Sequence, residues 1–146
     1  MKIVELSAAQ VEEMDRRLSA FDEGFITYSM DGAVQIGIEE DGKLVAGLDA
    51  CVTAFRILYV STVFVDEGYR RRGYGARLIR EMEKRAARMG VNLIRLDTFD
   101  FQGKAFYEAM GYEVAGSYEN REDGYAEYFF VKHLAPPEPP REGAAR

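Results

Sequence analysis

Apolar and polar positions alternate along this chain with two periods, and each change of period marks a new element. Residues 2–6, KIVEL, predict a short opening strand. Ser7 and Gln10 then have the S-x-x-Q form of a capping box, and Val11, Met14, Leu18 and Phe21 follow at helical spacing as one apolar stripe. Gly24 predicts the end of that helix. From Ala33 the period falls to two, with Val34, Ile36 and Ile38 alternating with Gln35 and Gly37. Asp41-Gly42 predicts a hairpin turn, because both residues tolerate positive φ, and it leads into a second strand over 43–56. Residues 57–65, ILYVSTVFV, are nearly all apolar or β-branched, the pattern of a strand buried on both faces.

The helical period returns over 73–89, where Leu78, Ile79, Met82, Ala86 and Met89 share one face and arginines and glutamates the other. Gly90 stops it, and residues 91–98 predict another strand. A short helix over 101–110, capped by Asp100 and stopped by Gly111, precedes a last hairpin of 112–118 and 125–134. The order β-α-β-β-β-α-β-α-β-β predicts a mixed α/β fold, mostly antiparallel, with one parallel crossover through the long helix. No repeat interrupts residues 1–134, which read as one domain; the Pro-rich residues 135–146 read as a flexible tail.

Composition removes several kinds of chemistry. The 146 residues are 47% hydrophobic and 30% charged, and a globular chain of this length buries roughly 70% of its unfolded surface without a disulfide or metal. One cysteine, Cys51, and one histidine, His133, exclude a tetrahedral Cys/His zinc site and a disulfide scaffold, so no metal is expected. Cys51 reads as a small buried hydrophobe in a strand. A catalytic triad would have to use His133, beside the Pro-rich tail. A net charge of −6 argues against nucleic acid as a partner. No apolar run is long enough to span a bilayer, and the N-terminus lacks a signal segment, so a cytoplasmic protein with no membrane partner is expected.

The most informative stretch is Val63-Phe-Val-Asp-Glu-Gly-Tyr-Arg-Arg-Arg-Gly-Tyr-Gly75, where a buried strand runs into a glycine-bearing loop and a long helix. A helix N-terminus offers unpaired amides and a partial positive charge, which suit a phosphate. Gly73 and Gly75 let an anion approach the backbone, and Arg70, Arg71 and Arg72 add local positive charge to an acidic chain. Neither the P-loop nor the dinucleotide-binding glycine pattern is present, so the loop fits the pyrophosphate of another cofactor. A glycine-rich helix entry beside a surface arginine run is the plainer alternative.

Arg70-x-x-Gly73-x-Gly75 resembles the acyl-CoA signature Q/R-x-x-G-x-G/A of the GNAT N-acetyltransferases. Asp100-x-x-Gly103-x-x-x-Tyr107-x-x-x-Gly111-Tyr112 is similar to that family's N-x-x-A-x-x-x-Y-x-x-x-G-F segment, with Asp in place of Asn and Gly in place of Ala. The likeness runs from about residue 33 to 134. It implies the GNAT fold, a mixed sheet flanked by helices with a central parallel strand pair that splays apart, here 58–65 and 91–98. It further implies an N-acetyltransferase that passes acetyl from acetyl-CoA, its co-substrate, directly to the primary amine of a small molecule or peptide.

By the same resemblance, Val63 and Val65 offer backbone groups to the pantetheine arm, and Arg70, Arg71, Arg72, Gly73, Tyr74, Gly75 and Ala76 wrap the pyrophosphate. Gly103 and Phe106 complete the cofactor contacts, and Tyr107 donates the proton that the leaving thiolate needs. Asp100, Gly103 and Tyr107 are expected on one face of the short helix, with Asp100 chiefly its N-cap. Ser61 stands where relatives often carry a glutamate base. Asp97, Asp49 and His133 are the alternatives, and the base stays unassigned. The first helix, the segment after it and the last hairpin are expected to shape the acceptor side. They bring Phe21, Phe25, Tyr28, Tyr118, Tyr125 and Tyr128 with Glu23, Glu119, Glu122 and Asp123, which suit a cationic amine. A homodimer is expected by family analogy alone. A non-catalytic acyl-CoA-binding or sensor domain remains the competing reading.

Overall fold

Pairing of alternating apolar strands builds one six-stranded sheet in the order β1-β2-β3-β4-β6-β5. The computed structural model describes residues 1–26 and 30–135. Its elements are helix α1 (Ala8–Asp22), strands β1 (Ala33–Glu40), β2 (Lys43–Ala54) and β3 (Ile57–Val65), helix α2 (Tyr74–Met89), strand β4 (Leu93–Phe99), helix α3 (Lys104–Ala109), and strands β5 (Glu113–Asn120) and β6 (Tyr125–His133). All strand pairs are antiparallel except β3–β4, which is the expected parallel crossover through α2.

Local chemistry sets the boundaries. Asp41 and Gly42 take φ of 51° and 76°, as the hairpin between β1 and β2 requires. Gly73 and Gly90, both left-handed, bracket α2. Ser7 and Gln10 close the capping box of α1: the Gln10 amide donates to Ser7 Oγ at 3.2 Å and the Ser7 amide to Gln10 Oε1 at 2.9 Å.

The core lies on one side of the sheet only. Val34, Leu48, Ala50, Leu58, Val60, Ile94, Leu96 and Phe130 point from the strands toward Leu78, Ile79, Met82 and Ala86 of α2, all of them buried. The α3 side chains Phe106 and Tyr107 pack against the same cluster. A half-buried ion pair ties these layers together. Lys132 Nζ of β6 lies 3.0 Å from Glu83 of α2 and donates to the Met110 carbonyl at 2.9 Å, while the Tyr112 hydroxyl donates to Glu83 at 3.2 Å. Burial, then the Glu83 charge, pushes the Tyr112 phenol far above its usual range and keeps it a donor.

Four expectations are corrected here. Residues 2–6 form no strand, because β1 pairs only with β2 and leaves them no neighbour. The short helix spans Lys104–Ala109 rather than 101–110, with Gly103 at its N-cap. Asp100 does not cap it: its carboxylate accepts the Ala126 amide at 3.0 Å and its own amide donates to the Ala126 carbonyl, which clasps the start of β6. Cys51 is exposed rather than buried, since its side of β2 faces away from α2. The Pro-rich stretch from residue 136 lies outside the described residues. Among the described residues, no helix is long and apolar enough to cross a membrane.

Replacing Glu83 by alanine strands a partly desolvated ammonium and a buried phenol together. Glu83→Ala is expected to lose about 2 kcal/mol of stability, read as a lower urea midpoint at unchanged slope.

Candidate active site

Parallel pairing between β3 and β4 lasts for three residue pairs, Ile57 with Leu93, Leu58 with Ile94 and Tyr59 with Arg95, and then stops. Both strands continue, β3 to Val65 and β4 to Phe99, so their facing edges separate. The gap is a cleft of about 1160 Å³, walled by residues 60–65, by Leu96, Asp97 and Thr98, and by the starts of α2 and α3. Backbone groups on the parted edges have lost a ladder partner, so the cleft wall can pair with an extended ligand.

The start of α2 closes one end. Its first helical bond runs from the Arg77 amide to the Gly73 carbonyl at 3.0 Å, so the amides of Tyr74, Gly75 and Ala76 have no intrahelical partner. Gly73 sits at φ 79° and Arg71 at φ 62°, so the loop turns through the left-handed region twice before the helix begins. Gly75 brings the helix against α3, because a Cβ there would stand 3.3 Å from the Phe106 ring.

The three arginines do different things. The Arg70 side chain reaches back, its Nε donating to the Val65 carbonyl at 3.0 Å, and so braces the loop against the end of β3. Arg71 lines the cleft with Arg70. Arg72 does not: its guanidinium lies over the Tyr69 ring at 5.1 Å, and Tyr69 stacks on Tyr74.

Tyr107 enters from the core side. Its ring packs on Phe106, Tyr112 and Phe130, and among the described residues no protein group bonds its hydroxyl. Burial pushes its phenol above the usual range, so it stays protonated at neutral pH. Gly103 makes room for this ring, since a Cβ there would stand 3.1 Å from Tyr107 Cε2. Thr98, a buried polar side chain, accepts the Gly103 amide on Oγ1 at 3.2 Å and so positions the turn that carries Tyr107. The sequence pattern does not single out Thr98, which reads only as one alternation in a strand.

Asp97 reaches the same cleft from the other face of β4, since it alternates with Leu96 and Thr98. Its Oδ2 accepts the Tyr59 hydroxyl at 3.0 Å, and Arg95 covers the Tyr59 ring at 4.4 Å. Burial, then this hydrogen bond, raises the Tyr59 phenol. Among the described residues Asp97 is the one carboxylate lining the cleft, whose walls are otherwise neutral or basic. Ser61 lines it as well, donating to the Asp49 carbonyl at 3.1 Å.

The remaining candidates lie elsewhere. The Asp49 carboxylate takes the Gln35 amide at 3.1 Å, outside the cleft. His133 pairs with Leu93 at the opposite end of β4. Phe21 and Phe25 touch each other and are exposed, and neither they nor Tyr118, Tyr125 and Tyr128 line the cleft. The acids Glu23, Glu119, Glu122 and Asp123 also stand away from it. Tyr28 lies outside the described residues. Val63, Val65, Arg70, Arg71, Gly73, Tyr74, Gly75, Ala76, Gly103, Phe106 and Tyr107 all come together in one cleft. Among the described residues no group of three His, Cys, Asp or Glu could hold a metal.

The acetyltransferase (GNAT) family profile matches residues 4–112. Blasticidin-S acetyltransferase of Streptomyces morookaense is 36% identical over 96 residues, 65% of this chain and 70% of that protein. A solved acetyltransferase from Bacillus cereus ATCC 14579 is 28% identical, with a TM-score of 0.86 over 92% of this chain and 98% of its own. A Bacillus anthracis chain, assigned as a streptothricin acetyltransferase and solved with acetyl coenzyme A, has a TM-score of 0.64 over 76% of this chain and 67% of its own; at 18% identity that likeness shows the fold.

Thr98→Val keeps the volume but leaves the Gly103 amide without its acceptor. The variant is expected to lose about 1–2 kcal/mol in urea denaturation, with Tyr107 less firmly placed.

Proposed function

The chain belongs to the acetyltransferase (GNAT) family, whose members use acetyl-CoA, and from that premise we propose that it acetylates a primary amine by direct attack within the β3–β4 cleft. The observation that carries this reading is the pairing of a protonated phenol, Tyr107, with a carboxylate, Asp97, across one strand in one cleft. The parted edge of β3 at Val63 and Val65 holds the pantetheine arm as a pseudo-strand, with Arg70 bracing the Val65 carbonyl. The free amides of Tyr74, Gly75 and Ala76, with Arg71, hold the pyrophosphate. Arg72 supports that loop by stacking on Tyr69.

An alkyl ammonium has a pKa near 10 and must lose a proton before it can attack. Asp97 attracts the ammonium and, directly or through one water, takes that proton. The neutral nitrogen then adds to the thioester carbonyl, gives up its second proton to solvent, and the tetrahedral intermediate collapses to the amide by breaking the carbon–sulfur bond. The thiolate released takes a proton from the Tyr107 hydroxyl, which solvent later restores. The Ser61 hydroxyl keeps its proton at neutral pH, so it places water or acceptor and is not the base. A small or peptide amine bearing positive charge fits an entrance that carries the Asp97 carboxylate.

Tyr107→Phe is expected to lower kcat by roughly a hundredfold while calorimetry shows coenzyme A binding essentially unchanged. A non-catalytic acyl-CoA-binding domain would instead release no thiol with any amine, in either protein. Because burial raises the Tyr107 phenol, its loss of the proton does not limit the wild-type rate below about pH 10.

Asp97→Asn is expected to lower kcat/KM for the amine by roughly tenfold or more at pH 7. The deficit shrinks as pH approaches the pKa of the amine, because solution then supplies the neutral form. A deficit that is constant with pH would remove Asp97 from the proton path.

A further inference from the structure

Helix α1 presents an apolar stripe to which nothing among the described residues is fitted. Val11, Met14, Leu18 and Phe21 are exposed, as is Phe25 just beyond the helix, and α1 buries none of its residues. Opposite this sits a second unmatched surface. The sheet face turned away from α2 carries Leu44, Cys51, Phe64 and Phe129, all exposed, with Tyr59 half-buried. The composition of β3 is that of a strand covered on both sides, yet only its Leu58 and Val60 side is covered.

That bare face is shaped. Gly37 of β1 and Gly47 of β2 stand directly opposite each other in register, and Leu44 and Phe64 rise beside them. Together they line a shallow groove of about 500 Å³. A fifteen-residue helix is about 22 Å long, which lies within the ~27 Å that eight-residue β1 and the longer β2 and β3 provide. The stripe on α1 and the trough on the sheet are complementary, and one chain carries both.

We infer that α1 docks its stripe onto the bare β1–β3 face of a second copy of this chain, in a reciprocal exchange of N-terminal arms. Carrying both halves of the contact, each copy gives what it receives, which is the condition for a closed two-fold dimer. The backbone is anchored just beyond the arm by the Val52 amide, which donates to the Gly32 carbonyl at 2.9 Å, and by Met30 against the core. Only residues 23–29 separate that anchor from the end of α1, and short connectors of this kind favour exchange between copies over closure within one. In a reciprocal exchange each copy contributes both its stripe and the sheet face that receives the other stripe, so the same contact forms twice. Thr62 and Phe64 line both the groove and the cleft, so the exchanged arm borders the active site.

Sedimentation equilibrium of the full chain, paired with thiol labelling, tests this. Cys51 reports on one end of the bare face, and Phe64→Cys in a Cys51→Ser background reports on the other. Leu18→Glu with Phe21→Lys removes the stripe while keeping an i,i+3 ion pair in the helix. The wild type is expected at twice the chain mass at micromolar concentration and the double variant at the single mass. At least one of the two thiols is expected to label roughly tenfold more slowly in the dimer than in the double variant. A monomeric wild type overturns the inference, whether its thiols are fast or, with the arm folded on its own sheet, slow. A dimer that survives the double substitution, or one whose two thiols label as fast as in the variant, overturns it equally.

Discussion

The early end of the β3–β4 ladder is the constraint on which the rest of this molecule depends. A parallel pair that stayed joined would bury its backbone groups in hydrogen bonds and leave no room between its strands. Here pairing ends at Tyr59 and Arg95, yet both strands run on, held from outside by β2 and β6. The outer ladders keep each strand extended, and the bulge in β2–β3 between Asp49 and Ala50 falls where the divergence begins. Unpaired backbone in a half-buried wall is costly, so the cleft is predisposed to take an extended ligand that restores the missing bonds.

The parting also divides the proton chemistry between two environments. Side chains alternate along β4, so Thr98 faces the helices and Asp97 faces away from them. Tyr107 reaches the cleft on the Thr98 side, among buried rings that raise its phenol and keep it neutral. Asp97 opens on the more exposed side, where it accepts the Tyr59 hydroxyl. A protonated phenol and a carboxylate are thereby held on opposite sides of one strand.

Signals that are local in sequence proved legible, and signals that depend on distant packing did not. The capping box at Ser7 and Gln10, the Asp41-Gly42 turn and the glycines around α2 each act within a few residues, and each forms as its chemistry requires. The glycine loop and Tyr107 could be placed together because their motifs sit at the ends of neighbouring strands. Asp100 misled because an aspartate before a helix looks like a cap, whereas its carboxylate is engaged by an amide 26 residues away. Thr98 carries no local mark, since its importance lies in the Gly103 amide that it accepts. Residues 2–6 have strand composition but no edge to join.

The one-sided core bears on why the acceptor is harder to read than the acyl donor. The α2 end of the cleft is built from backbone amides and glycines, positioned by strands and by α2 within a single chain. The side of the cleft at Asp97, Thr62 and Phe64 opens on the bare sheet face, where no element among the described residues supplies a wall. An aromatic and acidic inventory in the first helix and last hairpin therefore says little about specificity, because none of it lines this cleft. Specificity toward an amine requires shape on that side, and shape requires a cover. The α2 end of the cleft is thus formed within the fold of one chain, whereas its Asp97 end borders the exposed face of the sheet.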